Sequence, residues 1–223
     1  MRLITRSTRI DASQFSWHSD LSVAKIGQSK GRAKMNELRL ERRAAVAHLL
    51  DDRKESIVVA GLGSPIYDVF AAGDHSLNFY DWGAMGSAAM VGLGLALAQP
   101  RRPVIVFTGD GEMLMGLGAF ATIAQHCPPN LAIVVLDNEQ YAETGMQRTA
   151  TGIGTDLAAV ARGCGLKNAV TLTSDSELTL LKEKIQACDG TKVAVLKIVP
   201  GDQPRTIPMR DGAAIANRFI LAL

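Results

Sequence analysis

The chain has 223 residues, 47% of them hydrophobic, which is enough to bury one sizeable core, so a single domain accounts for its length. Its 24 basic and 22 acidic residues leave a formal net charge of +2 and are scattered along the chain, which argues against nucleic acid as the main partner. The three cysteines form no CxxC pair and the chain starts without a signal-like apolar core, so we expect a cytoplasmic protein with no membrane span and no zinc or iron–sulfur site.

Residues 1–34 are polar and rich in Ser, Arg and Lys, and we expect an N-terminal extension there rather than a domain. Met35 is a candidate for the native start. From Met35 to Leu50, apolar residues recur at roughly helical spacing before an acidic pair, and this pattern predicts a helix. The domain is therefore predicted to span residues 35–223.

After this helix, short apolar runs alternate with helical segments. Strands are predicted at residues 56–60, 78–80, 103–108, 131–136, 169–172 and 193–199, and helices at residues 65–70, 88–98, 112–126, 156–164 and 176–188. The runs at 103–108 and 131–136 are apolar throughout, as is typical of strands buried on both faces. The alternation predicts an α/β fold with a mostly parallel central sheet and helices on both faces.

Polar residues follow both of these apolar runs. Gly109-Asp110-Gly111 comes after the first run, and Asp137-Asn138 comes after the second. A right-handed crossover between parallel strands brings the two strand ends to the same carboxyl edge of the sheet. One ligand at that edge is therefore expected to contact both segments.

The residue types at this edge suit a magnesium ion and an anion. Asp110 supplies an anionic oxygen, Asn138 an amide oxygen, and the loop after it a backbone carbonyl, at Gln140. Mg²⁺ takes one or two carboxylates and keeps positions for phosphate and water. The amides of Glu112 and Met113 open a helix, and the N-terminal end of a helix favours anions. A plain turn followed by a strand-end cap is the alternative interpretation.

The sequence Gly109-Asp110-Gly111, then 26 residues, then Asn138 resembles the cofactor motif of the thiamine-diphosphate-dependent enzymes. The resemblance implies the diphosphate-binding domain of that family, with thiamine diphosphate and Mg²⁺ as cofactors. Asp110, Asn138 and Gln140 would be the metal ligands. The usual Asn-Asn pair departs here at its first position, which holds an aspartate, while the aligned metal ligand is kept.

Two upstream turns extend the resemblance. Gly83-Ala84-Met85 begins a Gly-x-Met-Gly turn, which implies that the Gly83 carbonyl binds the aminopyrimidine and that Met85 holds the cofactor in its bent conformation. Gly63 and Ser64 follow the first strand, and the resemblance places them near the terminal phosphate, with Ser64 as a donor. Taken alone, each of these turns is only a turn.

Residues from about 36 to 223 resemble the beta subunit of sulfopyruvate decarboxylase and the C-terminal half of phosphonopyruvate decarboxylase. The resemblance includes the segments 78–80, 141–147 and 205–223. It implies non-oxidative decarboxylation of a 2-oxo acid to an aldehyde. The family also needs a glutamate from a pyrimidine-binding domain, which residues 1–34 cannot build. A separate alpha-type subunit, and a heteromer active only when complete, are therefore implied.

No residue of this chain is assigned as certainly catalytic. Tyr141, Glu143 and Gln147 follow the expected metal loop and are candidates to border the substrate or order the cofactor, with Tyr141 also a cofactor contact; a solvated loop is the alternative for each. His75 is a candidate for proton transfer. Glu112 is expected on the surface or the phosphate side rather than as the activating glutamate.

Three rival functions remain. A carboligase of the acetolactate synthase type would use the same cofactor. The beta subunit of a 2-oxo acid oxidoreductase would bring cysteines for iron–sulfur clusters, which the spacing here does not provide. A non-catalytic module would bind the cofactor without turnover.

Overall fold

The computed structural model describes residues 39–201 and 203–223. The N-terminal extension expected at residues 1–34, and the first residues of the helix predicted from Met35, lie outside the described residues. The described residues fold around one central sheet with helices on both faces.

The sheet has six strands that run parallel. They are β1 (Ile57–Ala60), β2 (Asn78–Tyr80), β3 (Val104–Gly109), β4 (Leu131–Asp137), β7 (Ala169–Leu172) and β8 (Lys192–Lys197), while β5 (Gln140–Tyr141) and β6 (Gln147–Arg148) form a separate antiparallel hairpin. The order in the sheet is β2-β1-β3-β4-β8-β7. This topology confirms the predicted fold class.

Eight α-helices accompany the strands in the described ranges. They are α1 (Arg42–Leu50), α2 (Ser64–Ala71), α3 (Ala88–Ala98), α4 (Asp110–Met115), α5 (Ala119–His126), α6 (Leu157–Gly163), α7 (Asp175–Ala187) and α8 (Gly212–Ala222). Helices α1, α2 and α7 pack on one face of the sheet, and α3, α5 and α6 pack on the other. None of these helices is both long and apolar enough to span a bilayer. The cytoplasmic location stays a prediction.

The alternation of side chains along the central strands explains why they are apolar throughout. Ile105 and Phe107 of β3 belong to the core under α1 and α2, whereas Val104 and Val106 belong to the core under α3 and α5. All four are fully buried. A strand with helices on both faces needs apolar residues at consecutive positions.

The helix predicted at residues 112–126 is wrong as one element, because it is split into α4 and α5. The break falls at Gly116, which approaches the turn at Gly86 so closely that a Cβ on Gly116 would lie 2.3 Å from the Gly86 carbonyl oxygen. The sequence pattern missed this break because the approaching turn comes from a distant part of the chain.

Leu40 was predicted within the first helix, and this is also wrong. Its backbone is extended and forms a parallel bridge with Ile198, with hydrogen bonds from Leu40 to the Lys197 carbonyl and from Val199 to the Leu40 carbonyl, each 2.9 Å long. The helix begins at Arg42, where the side chain of Glu41 caps the amide of Ala44. Bridging to the strand end is preferred over one more helical turn. Arg42 is thereby brought to the carboxyl edge of the sheet.

Candidate functional site

The carboxyl ends of β1, β3 and β4 meet at a cavity of about 300 Å³. Ten residues singled out in the sequence line it: Ser64, Met85, Gly109, Asp110, Gly111, Glu112, Asn138, Gln140, Tyr141 and Glu143. Six others do not line it: Gly63, His75, Gly83, Ala84, Met113 and Gln147. Parallel topology therefore brings together residues that are up to 79 positions apart, from Ser64 to Glu143.

Asp110 is a buried carboxylate at the centre of this edge. It is 1% exposed, and its Oδ2 atom accepts hydrogen bonds from the hydroxyls of Thr149 at 2.6 Å and Thr151 at 3.0 Å. Burial raises the pKa of Asp110 to about 6, and the nearby negative charge of Asp137 adds to the increase. A buried, unpaired carboxylate of this kind favours a cation beside it.

Asp137, where the family motif usually has Asn, has a counter-ion of its own. It is 1% exposed, and its Oδ2 atom lies 2.7 Å from the ammonium of Lys197, its partner in the register of β4 and β8. Its Oδ1 atom accepts a hydrogen bond of 2.8 Å from Thr151, which links it to Asp110. Thr151 therefore bridges two buried carboxylates, one paired with lysine and one not.

Thr149 and Thr151 were missed from the sequence. They follow the β5–β6 hairpin, at residues 149–151, and nothing in their local pattern points to Asp110. Lys197 could have been found, because a lysine at the end of an apolar strand next to Asp137 needs an acidic partner.

Asn138 and Gln140 lie beside Asp110 in the cavity wall. Asn138 is 6% exposed, and its side-chain oxygen accepts a hydrogen bond of 2.9 Å from the amide of Gln140. Between them Glu139 has φ +63°, so the chain turns sharply here. Within the described residues no group of three or more His, Cys, Asp or Glu could hold a metal ion. A metal at this edge would need amide, main-chain and ligand oxygens beside the one carboxylate of Asp110.

Glu112 joins three segments behind the cavity. It is 2% exposed and accepts a hydrogen bond of 2.8 Å from the hydroxyl of Thr108 and a weaker one of 3.4 Å from the amide of Gly86. It packs so tightly on Gly61 that a Cβ there would lie 1.9 Å from its Oε2 atom. Burial raises the pKa of Glu112. The surface location considered for Glu112 is therefore wrong, and its side chain holds the upstream turn in place.

The turn at residues 83–86 lies at the mouth of the cavity. Met85 is 38% exposed and lines the cavity, whereas Gly83 and Ala84 are exposed and do not. The turn is held by Asp81, which accepts hydrogen bonds from the hydroxyl of Ser87 at 2.6 Å and the amide of Gly83 at 3.3 Å.

The loop that begins at Tyr141, the last residue of β5, also lines the cavity. The ring of Tyr141 lies over Gly111, where a Cβ would be 2.5 Å from its Cε1 atom. Glu143 packs over Gly63, which has φ +89°, and forms an ion pair of 3.2 Å with Arg205. Glycine at both positions lets this loop approach the strand ends closely.

Three other predicted residues are not placed at the cavity. Gln147 is exposed, and its side chain bonds to Thr144. The Met113 side chain is buried in the core, so only its backbone is available at this edge. His75 is in the loop before β2, at the amino edge of the sheet, and its Nδ1 atom accepts a hydrogen bond from the amide of Leu77. His75 therefore does not lie at this cavity, because strand direction places it at the opposite edge of the sheet, and its role in proton transfer stays a prediction.

A family model described as "Thiamine pyrophosphate enzyme, C-terminal TPP binding domain" matches residues 66–198. The matched stretch includes β3, β4 and both segments of the predicted metal motif. The chain is 38% identical over 181 residues to the sulfopyruvate decarboxylase subunit beta of Methanothermobacter thermautotrophicus, an alignment that covers 81% of this chain and 94% of that protein.

The chain is also 40% identical over 182 residues to the phosphonopyruvate decarboxylase of Streptomyces viridochromogenes. This alignment covers 79% of this chain but only 44% of that protein. Among solved structures, the fold is similar to a thiamine diphosphate-dependent 4-hydroxybenzoylformate decarboxylase of Rhodococcus jostii RHA1. The TM-score is 0.62 at 18% identity, over 74% of this chain and 34% of that one. At this identity the likeness shows the fold alone.

Proposed function

Because the chain belongs to the thiamine pyrophosphate enzymes that share a C-terminal TPP binding domain, we propose that it is the thiamine-diphosphate- and Mg²⁺-binding beta-type subunit of a two-chain 2-oxo acid decarboxylase. The reaction is the non-oxidative loss of CO₂ from sulfopyruvate, phosphonopyruvate or a related acid, with release of an aldehyde. The observation that carries this proposal is the single cavity in which Asp110, Asn138 and Gln140 meet at the carboxyl edge of the sheet.

The residues of this cavity fit a metal-bound diphosphate. Asp110 is buried, and no lysine or arginine of the described residues forms an ion pair with it, so a divalent cation would supply the missing positive charge. The Asn138 amide and the Gln140 carbonyl would complete the protein ligands, leaving the other positions to phosphate oxygens and water. The glycines beside Asp110 leave room for phosphates close to the backbone.

When bound, thiamine diphosphate supplies the electron sink that the loss of CO₂ from a 2-oxo acid requires. The residues of this chain position it and exclude water. Met85 at the mouth would support the rings, and Glu112 would keep the Met85 turn in place through its contact with Gly86. Tyr141 and Glu143 would cover the diphosphate side, since their loop already lies over that part of the cavity.

A partner subunit would complete the site. The beta subunit of the Methanothermobacter enzyme aligns over 94% of its length, whereas the Streptomyces enzyme is more than twice as long as the stretch aligned with it. Two methionines at the cavity, Met85 and Met115, are 38% and 59% exposed, which suits a surface that another chain covers. We assign to that alpha-type chain the glutamate that activates the pyrimidine ring.

The test is an assay of the chain with and without its partner. The chain would be purified alone and together with the product of an adjacent gene, and incubated with Mg²⁺, thiamine diphosphate and each of pyruvate, sulfopyruvate and phosphonopyruvate. We expect CO₂ and an aldehyde from the pair and almost no turnover from the chain alone.

The other outcomes of this assay identify the rival functions. Acyloin or acetolactate as the main product would make the protein a carboligase. Reduction of an added electron acceptor would make it an oxidoreductase. Tight cofactor binding without turnover in either preparation would favour a non-catalytic module.

A further inference from the structure

Arg42 is a buried cationic side chain in the wall of the cavity, and neither the motif nor the family resemblance assigns it a role. It is the first residue of α1 and only 6% exposed. The bridge between Leu40 and Ile198 fixes the chain just before it, at the end of β8. Arg42 therefore reaches the cavity from the face of the sheet that carries α1 and α2.

The guanidinium of Arg42 is only partly satisfied by its surroundings. Its Nε atom lies 2.5 Å from Oδ2 of the fully buried Asp68, but without hydrogen-bond alignment. Asp68 is shared with Arg43, whose Nε atom lies 3.2 Å from its Oδ1 atom. Two arginines on one carboxylate leave one positive charge in excess.

The terminal nitrogens of Arg42 form no hydrogen bond with the described residues 39–201 and 203–223, and of the three nitrogens only Nε is a fully enclosed atom without a partner. A buried guanidinium has five N–H donors, and leaving donors without an acceptor is costly. Arg42 lines the cavity, so its free donors are available to a ligand there.

The charges around the cavity favour an anion at this position. Its other charged side chains are the carboxylates of Asp110, Glu112 and Glu143, so Arg42 is the sole cationic side chain among the described residues that line it. A metal at Asp110 would attract one part of an anionic ligand. Arg42 offers a second positive centre in the same space, beside Ser64, where α2 begins.

We propose that Arg42 is an anion-binding residue of the cofactor site and donates its terminal nitrogens to the terminal phosphate of the diphosphate. The assignment rests on the function proposed above. The phosphate end is favoured over the substrate because Arg42 lines the cavity together with Ser64, the first residue of α2, which is expected near the terminal phosphate. A planar guanidinium suits bidentate contact with a phosphate.

The test compares Arg42→Gln with Arg43→Gln in the full chain. The two residues are neighbours and share Asp68, but Arg43 does not line the cavity, which makes it a matched control. Binding of inorganic pyrophosphate with Mg²⁺, of thiamine diphosphate with Mg²⁺, and of thiamine would be measured by calorimetry. We expect Arg42→Gln to weaken both diphosphate ligands about tenfold or more, since charge-assisted hydrogen bonds are lost. The affinity of Arg43→Gln for these ligands should stay within about twofold of the wild-type affinity.

Thiamine affinity should not change in either variant. The assignment would be overturned if Arg42→Gln bound pyrophosphate as tightly as the wild-type protein does. It would also be overturned if the variant lost as much affinity for thiamine, which has no phosphate, as for the diphosphate ligands. If wild-type protein binds neither diphosphate ligand, the proposed function itself fails, so the two failures are distinguishable. If Arg42→Gln does not fold, Arg42→Lys is measured in its place. Lysine keeps the positive charge but not the planar guanidinium, so the affinity for pyrophosphate should fall about threefold or more. Undiminished binding in the lysine variant would then overturn the assignment.

Discussion

Replacing Asp110 with asparagine separates the metal role of this residue from its structural role. Asparagine has nearly the same shape and keeps an oxygen for the hydroxyls of Thr149 and Thr151. It removes the only carboxylate among the three expected metal ligands. Loss of metal-site ligands or of their supporting contacts typically weakens binding by about 10- to 100-fold, so we expect at least a tenfold loss of affinity for Mg²⁺ with thiamine diphosphate.

The loss can be read as a change in stability. A ligand present at about 100 times its Kd stabilises the fold by about 2.7 kcal/mol, and at about 10 times its Kd by about 1.4 kcal/mol. At a fixed ligand concentration, Asp110→Asn should therefore lose about half of the stabilisation that cofactor and Mg²⁺ give the wild-type chain. Urea unfolding with and without ligand measures this difference.

The ligand-free protein should respond in the opposite direction. Burial raises the pKa of Asp110 to about 6, so its folded form holds a proton more tightly than its unfolded form. The stability that this proton contributes is present below pH 4 and lost as the pH rises through about 6. At pH 7.5 without metal, Asp110→Asn should be at least as stable as wild type, because it buries no unpaired charge.

A double variant, Asp137→Asn with Lys197→Met, is the matched control. It removes an equally buried carboxylate together with its counter-ion, and neither residue lines the cavity. Lys197 also pairs with Glu139, but Glu139 keeps its ion pair with Arg39 in the variant. Its cofactor-dependent stabilisation should equal that of wild type. If Asp110→Asn also keeps the full stabilisation, the carboxyl edge does not bind the metal, and the reasoning from motif to site is refuted.

Three further outcomes are expected. Gly116→Ala should lower the free energy of unfolding by roughly 1–3 kcal/mol in urea titrations, since its Cβ would lie 2.3 Å from the Gly86 carbonyl oxygen. Gly118→Ala is the control, and it should leave the free energy of unfolding nearly unchanged because the space around Gly118 is open. Lys197→Met alone should lower the free energy of unfolding by roughly 2 kcal/mol, at the low end for a buried pair because the lysine is a quarter exposed. Adding Asp137→Asn should recover most of this loss of stability, and no recovery would contradict the pairing of the two residues. Removal of Mg²⁺ by a chelator should release thiamine diphosphate from the wild-type protein, as equilibrium dialysis would detect, and retained cofactor would exclude a metal bridge.

Most of the fold could be predicted from the sequence because its signals are local. The apolar runs of β3 and β4 need only consecutive residues to be recognised, and β7 was placed at residues 169–172, as observed. The break at Gly116 and the extended Leu40 could not be predicted, because each depends on a contact with a distant segment. A helical pattern records which residues are apolar but not which backbone comes close to them.

The same difference, between local sequence signals and contacts with distant segments, decides which residues of the cavity could be predicted. Asp110 and Asn138 each follow an apolar strand, and parallel pairing then places them side by side. Arg42 reaches the cavity from the start of a helix, and Thr151 reaches Asp110 from a short 3-10 helix after the hairpin, where neither spacing nor composition points to the site. Residues at strand ends are predictable once the topology is known, whereas residues on connecting segments are fixed only by the folded structure.

The aspartate at position 137, where the family motif usually has asparagine, leaves the charge of the site unchanged. An asparagine there would be neutral, and the charge of Asp137 is balanced as well: Lys197 pairs with both Asp137 and Glu139, and Arg39 also pairs with Glu139, so two acidic and two basic side chains offset each other. The departure therefore adds no net charge near Asp110, which has no basic partner among the described residues. Lys197, at the end of the neighbouring strand, is what lets the chain carry an aspartate there without a second metal-binding charge.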